Sequence, residues 1–139
     1  MLRDIKLLYE EDPRFSGYLF EESYVLDLSV AERQIEFNLQ LVLTPKHASY
    51  KEPSPGMRYC YRNGILFFRD ILEKEIKNID LTPTFDPDGS KDFGNIDYFS
   101  EDPRDHYKLG GSWGEMMIFA LDVGVNLDAS EAKDRLGEP

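Results

Sequence analysis

The chain has one cysteine, Cys60, in 139 residues. That excludes an internal disulfide and any metal site built from several thiolates. Histidine is almost as scarce: only His47 and His106. A zinc site would need both, with a carboxylate such as Asp27 or Asp105, and nothing in their spacing asks for one. No apolar run approaches the roughly 18 residues of a membrane span. The opening residues, MLRDIKLLYEEDP, place acids within the apolar positions and carry no small-residue cleavage pattern. No secretory signal is expected, and a reducing cytoplasm is the simplest home.

Phosphate-loop and dinucleotide motifs are missing. Gly110-Gly111-Ser112-Trp113-Gly114 is glycine-rich, but a strand pattern follows it, not the helix N-terminus that binds phosphate. No nucleophile motif accompanies either histidine. No cofactor and no metal is therefore expected. Basic residues are outnumbered, 16 against 27 acids, for a net charge of −11. Such a surface repels nucleic acid and anionic lipid and suits a basic protein partner.

What the chain has in quantity is aromatic: nine Phe, eight Tyr and one Trp, a composition that favours strands. The length fits one domain. We expect that domain over residues 1–128, with a polar, flexible tail over residues 129–139. Residues 2–10 suit a short helix or an extended arm. Tyr24–Leu28 is a predicted strand. Gln34–Leu43 is the clearest, with Ile35, Phe37, Leu39, Leu41 and Leu43 alternating with polar positions. Three prolines make residues 44–56 a loop.

Residues 57–68 suggest a hairpin about Asn63-Gly64, the strongest short turn signal a sequence offers. Asp70–Leu81 has both helical spacing and a strand alternative, with strand favoured near its end. Residues 82–104 are predicted to be loop-dominated, and a loop this long within a compact domain is often functional. Tyr107–Leu109 and Trp113–Leu121 then form strands about a Gly110–Ser112 turn. The second is apolar on both faces, as in a strand covered on both sides. Asp122 breaks it, and Val123–Leu127 follows. The fold class is mainly β (α+β at most). Seven or eight antiparallel strands would form a sandwich, half-barrel or bent sheet, with one or two short helices.

Two sets of residues are candidates for function. Residues 86–106 hold seven acids against Lys91 and Arg104. Asp86, Asp88, Asp92, Asp97, Asp102 and Asp105 would form an acidic patch toward a basic partner, unless they are simply a solvated loop. The Asp86–Asp92 stretch departs from a calcium loop, since Gly89 falls at position 4 and Asp97, not Glu, at position 12. The second set, His47, Tyr50, Tyr59, Tyr61, Phe67 and Trp113, would line a pocket for a small molecule or peptide. Trp113 and Cys60 also fit simple core positions.

The segment Gly111-Ser-Trp-Gly-Glu-Met-Met-Ile resembles a G-x-W-G strand signature of small bacterial β-rich domains, some of them immunity proteins of polymorphic toxin systems. The acidic-aromatic stretch Tyr18–Asp27 fits the same picture. The resemblance implies a cytoplasmic protein that works by binding another protein, and it carries no catalytic residue. A non-enzymatic protein-binding module is therefore the leading expectation. A binder with an aromatic pocket comes next, and an enzyme using His47 with a nearby acid comes last. An exposed edge strand would also permit a homodimer.

Overall fold

A computed structural model describes residues 7–102 and 104–127. It contains nine strands: β1 (Leu7–Leu8), β2 (Tyr24–Val30), β3 (Gln34–Leu43), β4 (Cys60–Lys77), β5 (Thr84–Phe85), β6 (Lys91–Asp92), β7 (Tyr98–Asp102), β8 (His106–Gly111) and β9 (Gly114–Leu127). Seven of them form one antiparallel sheet in the order β1-β7-β8-β9-β4-β3-β2, and β5 and β6 form a separate hairpin. The described helical structure is two 3-10 turns, Tyr9–Glu11 and Phe20–Glu22. The predicted tail and residues 2–6 of the predicted arm lie outside the described residues. Leu7–Leu8 of that arm pair with β7.

The sheet is one-sided. On β3 the residues Ile35, Phe37, Leu39, Leu41 and Leu43 are buried, as their alternation predicts. Their face meets Leu66 and Phe68 of β4, Phe99 of β7, Tyr107 and Leu109 of β8, and Met116, Ile118 and Ala120 of β9. Irregular chain closes this face: Tyr9, Phe15, Tyr18 and Phe20 from the N-terminal segment, Ile96 before β7, and Trp113. The rings interlock, Phe99 meeting Phe20 and Phe68 edge to face and Phe15 at a tilt. Phe99 lies 5.1 Å from Phe15, 5.5 Å from Phe20 and 6.2 Å from Phe68. Such pairings add to what burial alone contributes.

Three expectations are corrected, and one open choice is decided. Asn63-Gly64 is not a turn: β4 runs unbroken through it, with Asn63 opposite Gln40 and Gly64 opposite Leu39 on one side and Leu127 on the other. Glycine is used there for close approach. A Cβ at Gly64 would come 2.8 Å from both the Asn126 carbonyl oxygen and Leu41 Cδ1. Asp70–Leu81, open between helix and strand, is strand at its start and not at its end: β4 continues to Lys77, with a bulge near Leu72 and positive φ at Asp70 (53°), and residues 78–81 lie outside any strand. Asp122 does not break its strand, because it pairs with Arg69 inside the continuous β9. The turn before β9 is Ser112-Trp113, since Gly110 and Gly111 still belong to β8. Gly114 follows with φ +141° and leaves room for Ile79 and the Lys77 carbonyl.

Two differences bear on function. Residues 82–104 are loop-dominated, as expected, but they also carry the short strands β5, β6 and β7. And β9 is not covered on both faces. Met116, Ile118 and Ala120 are buried, while Met117 and Leu121 are 48% and 60% exposed.

Candidate functional site

The structure sorts the six acids into separate places. Asp86 and Asp88 sit on the β5–β6 hairpin, which is held by pairing of Thr84 with Asp92 and Phe85 with Lys91. The Asp88 carboxylate accepts from the Ser90 hydroxyl (2.7 Å) and backbone N–H (2.9 Å). Those bonds hold its pKa below the ordinary value. Asp92 is buried and accepts from the Gly94 N–H at 2.8 Å. It belongs to the loop's own structure. Asp97 is exposed just before β7. Asp102 and Asp105 lie at the far end of β7, about 17 Å along a five-residue strand. Burial works against ionisation of Asp102, but the Arg104 N–H and the flanking His106 and Arg104 hold its pKa down. Its charge is thus answered locally. The acidic surface free to meet a partner is the hairpin end: Asp86, Asp88 and Asp97.

That end also carries apolar groups the sequence did not single out. Phe85 is 67% exposed, and Ile79 and Leu81 are 45% exposed. Two-residue strands cannot bury both faces, so Phe85 has nowhere to go. The signal was present in Phe85-Asp86, an aromatic at the head of the acidic run, but the loop reading hid it.

The pocket candidates do not converge. Trp113 is fully buried: it packs edge to face on Phe37 at 4.9 Å and donates Nε1–H to the Asn95 carbonyl at 2.9 Å. Phe67 faces the outer side of the sheet, over Gly124, with the Arg69 guanidinium 3.9 Å from its ring centroid. Tyr59 and Tyr61 pair edge to face at 6.0 Å, with Arg58 against Tyr59. Tyr50 is half-buried against the core. His47 accepts the Ser49 N–H on Nδ1 (2.9 Å), which leaves Nε2–H to donate to the Tyr18 hydroxyl at 3.0 Å. Burial first, and then the charge of Arg62, push the His47 pKa down. The charge that bears on His47 is a cation, whereas a general base would be paired with a carboxylate.

Two constellations had no sequence signal. An open hollow of about 530 Å³ lies on the outer face, lined among others by Asp27, Asn38, Asn63, Ile65 and Asn126. Register alone aligns Asp27, Asn38, Ile65 and Asn126 across four strands. It is amide-lined, not aromatic. The second ties the N-terminal segment to the sheet. Arg14 bonds both oxygens of Asp12, and its Nη2 reaches Glu101 at 3.1 Å and the Tyr107 hydroxyl at 3.2 Å. Its Nη1 donates to the Val123 carbonyl. Burial and the neighbouring Asp12 push the Glu101 pKa up to about 7. Burial opposes ionisation of Asp12 too, but the Arg14 hydrogen bonds prevail and hold it at about 2. Between these two values Glu101 keeps its proton beside an ionised Asp12.

Among the described residues, no three His, Cys, Asp or Glu side chains are grouped so as to hold a metal ion. No helix there is long and apolar enough to cross a membrane. Comparison of the chain with protein-family models, with curated proteins and with solved structures finds no match in any of the three.

Proposed function

We propose that this chain is a non-enzymatic protein-binding module, of the kind its resemblance to immunity domains implies, and that the β5–β6 hairpin end engages a basic protein. One observation carries the reading. Phe85, the most exposed large apolar residue described, stands beside the exposed acids Asp86 and Asp88 on a hairpin outside the main sheet. An aromatic anchor supplies binding energy once it is desolvated. The acids around it, on a chain of net charge −11, raise the rate of encounter with a basic surface and disfavour nucleic acid and anionic membranes. A cytoplasmic home suits a lone thiol.

The test is capture from native lysate on immobilised wild-type chain, Phe85→Ala and Asp86→Lys/Asp88→Lys, at low and high salt. A single basic protein retained by wild type, bound more slowly at high salt and lost with both variants, supports the reading. Retention that neither variant alters, or no retained protein, overturns it.

A further inference from the structure

The outer face of β7, β8, β9 and β4 has an order that the hairpin does not share. Antiparallel register places residues side by side in rows. One row runs Ser100, Lys108, Met117, Glu75 across the four strands, and the next runs Asp102, His106, Phe119, Glu73. Met117 and Phe119 therefore form the middle of a column on β9. Leu121 extends it, and it is open to solvent, with Met117 48% and Leu121 60% exposed. His106 lies flat on Phe119, its ring centroid 4.6 Å away with 24° between the planes. Lys108 and His106 flank the column on the β8 side, and Glu75 and Glu73 flank it on the β4 side. Among the described residues β4 is an edge in these rows, because β3 pairs with it only as far as Arg69.

From this pattern we infer that the face binds a second copy of the same chain, sheet against sheet, about a two-fold axis lying between the two copies and parallel to β9. That operation swaps left for right. It sets the Lys108/His106 column of each copy over the Glu75/Glu73 column of the other, and it sets Met117 and Phe119 over their own counterparts. An axis across the strands would instead set lysine on lysine. Glu115, at the end of the column, meets its own counterpart with the Lys77 of each copy beside it, since Glu115 and Lys77 share a row. Sheets packed face to face lie roughly 10 Å apart, a spacing that side chains of Met and Phe size fill. An isologous contact needs this kind of self-complementarity. Pairing through the free β4 edge is disfavoured. Glu73, Lys74, Glu75 and Lys77 line that edge, and a bulge lies at Leu72.

Sedimentation velocity of the full chain from about 1 to 200 μM tests the inference, with Met117→Glu, Lys108→Glu, Glu75→Lys and the Lys108→Glu/Glu75→Lys pair as variants. These positions are exposed, so each variant should fold. The expected result is a dimer that Met117→Glu abolishes and that each single charge reversal weakens at least tenfold. The double reversal restores it, because the two changed positions face each other across the axis. Within one copy Lys108 and Glu75 flank Met117 two strands apart, so the rescue is read from the concentration dependence of the dimer and not from the stability of the monomer. A monomer at every concentration overturns the inference. So does a dimer indifferent to Met117→Glu, or one with no rescue by the double reversal. A dimer that forms only after residues 128–139 are deleted also overturns it, and points to that segment as the cover of the face.

Discussion

The Arg14 guanidinium lies 3.1 Å from the Glu101 carboxyl, yet Glu101 titrates at about 7 rather than in the ordinary carboxylate range. Burial on β7 and the neighbouring Asp12 outweigh the cation. Glu101 Oε1 is buried and has no hydrogen-bond partner among the described residues, so ionisation places an uncompensated charge near Asp12. Because the folded pKa is raised, this group stabilises the fold most below its unfolded value near 4.5, and the contribution is lost as pH rises through about 7. Glu101→Gln should remove that dependence. The stability difference between wild type and Glu101→Gln, from urea melts at pH 5 to 8, should shrink steadily as pH rises. A flat difference would remove the protonated Glu101 from the account.

His47 should titrate in the opposite sense. Its pKa is lowered by burial and by Arg62, so the neutral ring belongs to the fold, and its contribution is lost as pH falls below about 6.5. Nitrogen-15 NMR should show the Nε2–H tautomer at pH 6.5, with Nδ1 as the acceptor. His47→Ala leaves the Tyr18 hydroxyl and the Ser49 N–H without their partner, at a cost of about 1–3 kcal/mol. A protonated ring at pH 6.5 would contradict the assignment.

Trp113 should be the most costly single truncation in the core. It is fully buried, packed on Phe37 and bonded to Asn95. Trp113→Ala should cost about 3–5 kcal/mol, and Trp113→Phe, which loses the Nε1–H bond to the Asn95 carbonyl, should cost less. Thermal melts of both variants decide it. Iodide should hardly quench the wild-type fluorescence, whereas strong quenching would place the ring in an open pocket.

Gly64 offers a test of the long β4 strand. A side chain there meets the Asn126 carbonyl oxygen and Leu41, so Gly64→Val should cost about 1–3 kcal/mol through overpacking. In wild type the amides of Asn63 and Gly64 should exchange as slowly as the rest of the central strands, since β3 and β9 pair on either side of Gly64. Fast exchange at both would restore the turn.

Much of the fold was legible in local pattern. The alternation of Ile35 to Leu43 named the buried face of β3 residue by residue, because side-chain direction in a strand has period two whatever the strand packs against. Charge was legible too, as a sum. What escaped were features that depend on neighbours distant in sequence. Asn63-Gly64 has the chemistry of a turn, but glycine also lets three strands approach closely, and only the pairing partners select between the two uses. The helical spacing of Leu72, Ile76 and Ile79 lost to β9, whose partners continue to Lys77.

The candidate sites divide in the same way. By itself the sequence determined a mainly β chain of strong negative charge, rich in aromatics, with an acidic run from Asp86 onward. Those properties follow from composition and short-range periodicity. Only the tertiary structure decided which acids share a surface, since β7 sets Asp102 and the following turn's Asp105 a strand's length from Asp97. It also turned Met117, Phe119 and Leu121 to solvent between a basic and an acidic column, joined Asp12 to Glu101, and sealed Trp113 in the core. Each of these depends on strand register and on which face the irregular segments cover, and long-range contacts set both.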